Sequence, residues 1–346
     1  MPACAATYWP SWPPRTGSAA TTRAPMRCWA MRPRRTRGRR RVAVAEGTRM
    51  AVEDLPPWRR GRRAQFPGLP AWSMPAAASQ NETFDVSAFP EITPEWAWGG
   101  ADGCGVRVAI VDSGVDGGHE LCAPIATAWR VGTDEAGLPR MEECPPVDRA
   151  GHGTACASIV RGLAPAAEIS SVQVLTDGKF GSGAALLAGL EHTIDQGFDV
   201  INMSLSTTRP EFRTRLTDLA DRAYFRRCVL VVSAHNLPVE SYPWNFSSVI
   251  SVASHDESDP KTYYYNPAPP VDFHARGARV PVARPGGGIV RSTGNSFAAP
   301  HLTGMAALVL SKHPRLTPFQ LKSVLFHCAA NVTRLGGSAH VAESRG

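Results

Sequence analysis

From Val106 onward the chain alternates short apolar runs with longer stretches of helical spacing. Val106-Arg-Val-Ala-Ile-Val111 is an apolar run of strand length that ends in Asp112-Ser113-Gly114, a turn signal. A second such run spans Ile169 to Leu175, just after Leu163-Ala-Pro165. Gly183 to Gln196 reads as a helix, because Leu186, Leu187, Leu190 and Ile194 recur on one face. Val200 to Leu205 is strand-like again, Leu216 to Arg226 helical, and Val229 to Ser233 another apolar strand. Strands alternating with helices imply right-handed crossovers and an α/β fold: a doubly wound, mostly parallel sheet with helices on both faces. In such a sheet, chemistry gathers at the carboxyl ends of the strands.

Residues 1–87 lack this pattern. They are rich in Pro, Arg, Ala and Trp, with no sustained period of 2 or 3.6, as expected of a segment unable to bury a core. We expect them to be disordered, with one folded domain over residues 88–332, a tail over 333–346, and Met50 as an alternative start. A chain of 346 residues suits one large domain better than two. No internal repeat is visible.

The formal charge of +7 suggests a nucleic-acid partner only until it is located. Residues 1–65 hold fifteen arginines against Glu46, Glu53 and Asp54, a net +12, which leaves the remainder at −5. No nucleic acid is therefore expected as a partner of the folded domain, and blocks of like charge are usually solvated tails. The arginines of Arg32 to Arg41 are not followed by the apolar run of a secretion signal, and no stretch of about 18 apolar residues offers a membrane span. The chain as written is thus expected to be cytoplasmic, and secreted only if its start lies elsewhere. Eight cysteines (4, 28, 104, 122, 144, 156, 228 and 328) show no C-x-x-C pair and no metal-ligand spacing, so we expect reduced, largely buried thiols.

Three polar positions interrupt the apolar pattern where chemistry could sit. Asp112 closes the first strand, as a turn aspartate or as a functional acid at the sheet's carboxyl edge. His152, in Gly151-His-Gly-Thr, opens an apolar helix; a general base needs a third group to fix its tautomer, and aspartate is the usual one. Ser296, in Gly294-Asn-Ser-Phe-Ala-Ala-Pro300-His301, opens another, where free N–H groups and the helix dipole suit a developing oxyanion; the plain alternative is an N-cap serine.

Taken together, Val-Ala-Ile-Val-Asp112-Ser-Gly, Gly-His152-Gly-Thr and Gly-Asn-Ser296-Phe-Ala-Ala-Pro-His resemble the three signature blocks of the subtilase family of serine proteases, in the family's chain order. The likeness continues through Gly162-Leu-Ala-Pro165, Val172-Gln-Val-Leu175, Asp199-Val-Ile-Asn-Met-Ser-Leu205 and Tyr242-Pro243, over roughly residues 100 to 332. It implies an endopeptidase acting on polypeptide substrates through an acyl-enzyme. Ser296 would be the nucleophile, His152 the base, Asp112 the orienting acid and Asn236 the side-chain donor of the oxyanion hole. It also implies that Gly181-Ser182-Gly183 and Ser204-Leu205-Ser206 flank an extended substrate as an added strand.

Departures from the family pattern bear on specificity. His235 stands before Asn236 where the family has glycine, Ser206 and Thr207 replace glycines, and Trp244 follows Tyr242-Pro243. His235 should narrow or polarise the pocket wall. Only Ser158-Ile-Val-Arg-Gly162 separates the His152 helix from Leu163-Ala-Pro165, where many secreted members carry a calcium loop, so no cofactor and no metal are expected. His301 and His192 read as packed helix residues. A monomer is expected. The readings left open beside a general endopeptidase are a maturation protease acting on leader peptides and a catalytically weak scaffold of the same fold.

Overall fold

The computed structural model describes residues 92–135, 137–175 and 181–333. The readings for residues 1–87 and for the tail beyond 333 lie outside them. The described chain runs α1 (Pro94–Trp98), β1 (Arg107–Asp112), β2 (Ala128–Thr133), β3 (Pro139–Glu143), α2 (His152–Leu163), β4 (Glu168–Gln173), α3 (Gly183–Asp195) and β5 (Val200–Met203). It continues through α4 (Arg213–Phe225), β6 (Val229–Ser233), β7 (Ile250–His255), β8 (Tyr263–Tyr265), β9 (Phe273–Arg276), β10 (Val280–Ala283), β11 (Ile289–Ser292), α5 (Asn295–Lys312) and α6 (Pro318–His327).

Nine strands form one sheet in the order β3-β2-β4-β1-β5-β6-β7-β9-β8, while β10 and β11 pair separately. Seven are parallel; β3 and β8 close the two edges antiparallel. β1 lies inside the sheet, and its residues alternate between two cores. Val108 and Ile110 face the cluster built with α2, α5 and α6, and Ala109 and Val111 face the one built with α3 and α4. This is the doubly covered α/β sheet that the apolar runs predict. The predicted strand ends differ by a residue or two, and the predicted helix from Leu216 starts earlier, at Arg213.

α5 is the structural axis. It is buried from Ala298 to Leu310, which accounts for apolar residues all round it rather than along one stripe. A Cβ on Gly304 would lie 2.7 Å from Leu163 Cβ, so the missing side chain lets α2 and α5 cross closely. Pro300 falls in the second turn of α5, early enough for the helix to accommodate it.

Candidate active site

Asp112 ends β1 fully buried, and His152 begins α2 beside it. His152 Nδ1 lies 2.8 and 2.9 Å from the two carboxylate oxygens of Asp112, so Nδ1–H donates and the imidazole is fixed in the tautomer with a free Nε2. The glycines flanking His152 create this approach. Gly151 caps α2 at φ 91°, a left-handed conformation that suits glycine. A Cβ on Gly153 would lie 2.0 Å from the carbonyl oxygen of Gly114 and 3.1 Å from Asp112 Cβ. Backbone packs against backbone here, and the ring drops onto the strand end. The Asp112 charge raises the His152 pKa above its ordinary 6.5, against an opposing effect of burial.

Asp148, absent from the sequence reading, holds this pair in place. Its buried Oδ1 accepts from Ser113 Oγ (3.0 Å) and from the N–H groups of Ala150 (3.0 Å) and Gly151 (2.8 Å). Its Oδ2 accepts from Thr154 N (2.9 Å) and Thr154 Oγ1 (2.7 Å). Ser113 Oγ in turn accepts from Gly153 N at 3.0 Å. One carboxylate thus ties the end of β1 to the first turn of α2 and satisfies the donors of that helix start. Nothing in local spacing signals it beyond an acid four residues before His152.

Ser296 sits at the second position of α5; the cap is Gly294, so the N-cap reading of Ser296 does not apply. Its carbonyl accepts from Ser204 Oγ (2.8 Å) and faces Cys156 Sγ (3.6 Å), while the ring of the next residue, Phe297, lies 5.6 Å from the His152 ring. These contacts bring the start of α5 against the first turn of α2. Asn236 Oδ1 accepts from Asn295 N (2.9 Å), and Asn295 is itself held by Ser254 N and by the His235 carbonyl. The Asn236 amide is thereby positioned one residue from Ser296.

Gly181, Ser182, Gly183, Leu205, Ser206 and His235 line one cavity of about 390 Å³. Ser182 and Gly183 also start α3: Ser182 Oγ accepts from Ala185 N at 3.0 Å, and Gly183 packs beneath the Phe212 ring. Ser204 is buried, and its hydroxyl is engaged with Ser296 and Asn202. Below this edge, Ser206 Oγ and Trp244 Nε1 both reach Ser241 Oγ (3.2 and 2.8 Å), and Thr207 bridges to Tyr242. The non-glycine residues at Ser206, Thr207 and Trp244 therefore fill and crosslink this floor. His235 Nδ1 accepts from Leu237 N at 3.0 Å, folding its ring back over the 235–237 turn.

Cys156 is fully buried with Sγ 3.9 Å from Asp112 Oδ2; burial first, and the Asp112 charge second, push its pKa well up. Among the described residues, Asp112, His152 and Cys156 form a trio whose ligating atoms all lie within 4.8 Å of one another. His301 is buried, with Nδ1–H donating to the Phe297 carbonyl, and burial lowers its pKa to about 4. His192, its pKa lowered by burial, stands edge-on to Trp129. Both are packed rings, as their helical settings suggest. No helix among the described residues is long and apolar enough to cross a membrane.

Comparison with known proteins agrees with this geometry. The chain is 29% identical to subtilisin DY of Bacillus licheniformis over 67% of its own length and 86% of that protein's. It is 31% identical to thermitase of Thermoactinomyces vulgaris over 62% and 78% of the two chains. A cold-adapted subtilisin-like serine proteinase of known structure superposes with a TM-score of 0.54 at 26% identity, covering 65% of this chain and 82% of that one. The family model of the subtilases matches residues 103–346, so that a sheet, a buried Asp–His pair and an adjoining serine helix all fall within it. The chain belongs to the subtilase family and is a subtilisin-like serine endopeptidase.

Proposed function

We propose that Ser296, His152 and Asp112 act as the catalytic triad, with Asn236 donating to the oxyanion. The observation that carries this reading is the paired contact of His152 Nδ1 with a fully buried Asp112. It leaves Nε2 as the basic nitrogen that takes the Ser296 proton as Oγ attacks the scissile carbonyl, and returns it to the leaving amine. The Asp112 carboxylate stabilises the imidazolium formed between these steps. The Ser296 N–H, at the positive end of α5, and Asn236 Nδ2–H converge on the tetrahedral oxygen; loss of such a donor costs about 3–4 kcal/mol of transition-state stabilisation. Ser204, bound to the Ser296 carbonyl, keeps the start of α5 fixed during attack.

The substrate strand lies between Gly181-Ser182-Gly183 and Ser204-Leu205-Ser206, with His235 at the wall of the cavity they share. We read the enzyme as a monomer that needs neither nucleic acid nor a metal cofactor. A cytoplasmic site of action fits the free thiols of Cys104, Cys122, Cys144, Cys156 and Cys228. Labelling with a fluorophosphonate tests the core of this reading. The full chain should be labelled, and Ser296→Ala should be neither labelled nor able to cleave peptides; cleavage by Ser296→Ala would remove the assignment.

A further inference from the structure

A second cavity, of about 530 Å³, opens beside the proposed triad and is lined in part by Arg130, Arg149, Glu142, Val147 and Gln173. The sheet register fixes its distance from the chemistry. Arg130 on β2 pairs with Gln173 on β4, and Gln173 pairs with Asp112 on β1, so the three occupy one row across adjacent strands. At about 4.8 Å between strands, Arg130 stands about 10 Å from Asp112. Alternation also puts the three side chains on one face: Asp112 shares parity with Ile110, and Gln173 with Ile169, both in the core beneath α2. The opposite wall is the loop into His152, which carries Arg149 three residues before the histidine.

The charges in this cavity do not cancel. Arg130 is paired across the β2–β3 hairpin with Glu142, at 3.4 Å. Arg149 forms no hydrogen bond or ion pair with any described residue, and among the described residues no acid besides Glu142 lines the space. An unpaired guanidinium in a cavity whose lining includes Pro145 and Val147 matches a carboxylate on a short apolar stem.

We propose that this cavity is a substrate subsite for an acidic side chain, glutamate above all, with Arg149 as its specificity-determining residue. The inference rests on the triad and substrate-strand reading above. Side chains of an extended peptide alternate in direction. If the residue whose carbonyl is attacked faces the Leu205–His235 cavity, the residue before it faces His152 and the space beyond. The acidic preference therefore falls on the second residue of the acyl side. A charge-assisted hydrogen bond of this kind is worth about tenfold in kcat/KM, equivalent to about 1.4 kcal/mol.

The test compares peptides that differ only in Gln, Asp or Glu at that position, cleaved by the full-length enzyme. The Glu-to-Gln ratio of kcat/KM should be about ten at low salt and should fall as salt screens the pair. Arg149→Gln should bring the ratio close to one while fluorophosphonate still labels Ser296. Glu142→Gln, which releases Arg130 into the cavity, should raise it. A wild-type ratio of one or below, or a ratio unmoved by both variants, would overturn the subsite. Absence of both labelling and cleavage in the wild type would instead overturn the triad reading, and the subsite with it.

Discussion

At the scale of single residues, the imidazole of His152 is governed by one neighbour. The Asp112 charge raises its pKa above 6.5, and as the proposed base it works only when neutral. Hence kcat/KM should climb along an acid limb centred above pH 6.5. Asp112→Asn should lower activity by about 10⁴, the loss seen when the imidazole is left in the wrong tautomer, and move the limb to lower pH. A pH profile with the limb unmoved would separate His152 from Asp112. Cys156 offers a second check. Its thiol is buried, so alkylating agents should spare it, but a soft metal can use Sγ together with the nearby Asp112 and His152 atoms. Mercuric ion should inactivate the wild type and leave Cys156→Ala active, with iodoacetamide harmless to both. Equal mercury sensitivity in the two proteins would assign the effect to another thiol. The positions of Asp112, His152 and Ser296 were legible because each stands in a short block of distinctive neighbours. Asp148 was not, because its acceptors are filled partly by Ser113, 35 residues away, a contact that only the fold creates.

At the scale of elements, the meeting of α2 with the end of β1 depends on the lack of a side chain at Gly153. Gly153→Ala would push a methyl to 2.0 Å from the Gly114 carbonyl oxygen, and backbone on both sides leaves little room to give. We expect about 1–3 kcal/mol of destabilisation from this overpacking, with kcat falling further than KM rises as the ring is lifted off Asp112. Thermal unfolding and steady-state kinetics read the two effects separately; wild-type kcat in Gly153→Ala would show that the close approach is not needed. The same elements show what sequence patterning can reach. The central strands β1, β4, β5 and β6 are covered on both faces and read as apolar runs, interrupted in β4 by Ser170 and Ser171 and in β5 by Asn202. The β2–β3 hairpin and β7 to β11 did not stand out. β3 is half-exposed along its length, β8 has three residues, and β11 exposes Ile289 and Val290, so neither an apolar run nor strict alternation marks them.

At the scale of the molecule, the question is where the functional chain begins. α1 belongs to the folded body although it precedes the residues matched by the family model. Ala97 is fully buried, the Trp96 ring stacks on His313 at 4.0 Å, and Trp98 packs near Tyr263. The backbone takes part as well: Lys312 Nζ donates to the carbonyls of Glu95 (2.7 Å) and Gly99 (3.1 Å), and His313 Nε2 meets that of Trp96 at 2.9 Å. The end of α5 thus supplies donors to the carbonyls of α1, and α5 is the helix whose other end carries Ser296. A chain beginning at Ser87 keeps all of these contacts and should fold and retain kcat, since the composition before it is expected to build no core. A chain beginning at Gly103 loses α1, exposes the apolar surface beneath two tryptophans, and should be about 3 kcal/mol less stable, a fall of about 10 °C in Tm. Melting curves and peptide hydrolysis on the two chains separate these expectations. Equal Tm values would show α1 to be dispensable. A Ser87 chain that is insoluble, yet rescued by residues 1–86 added in trans, would make the N-terminal segment a folding assistant rather than a passive tail.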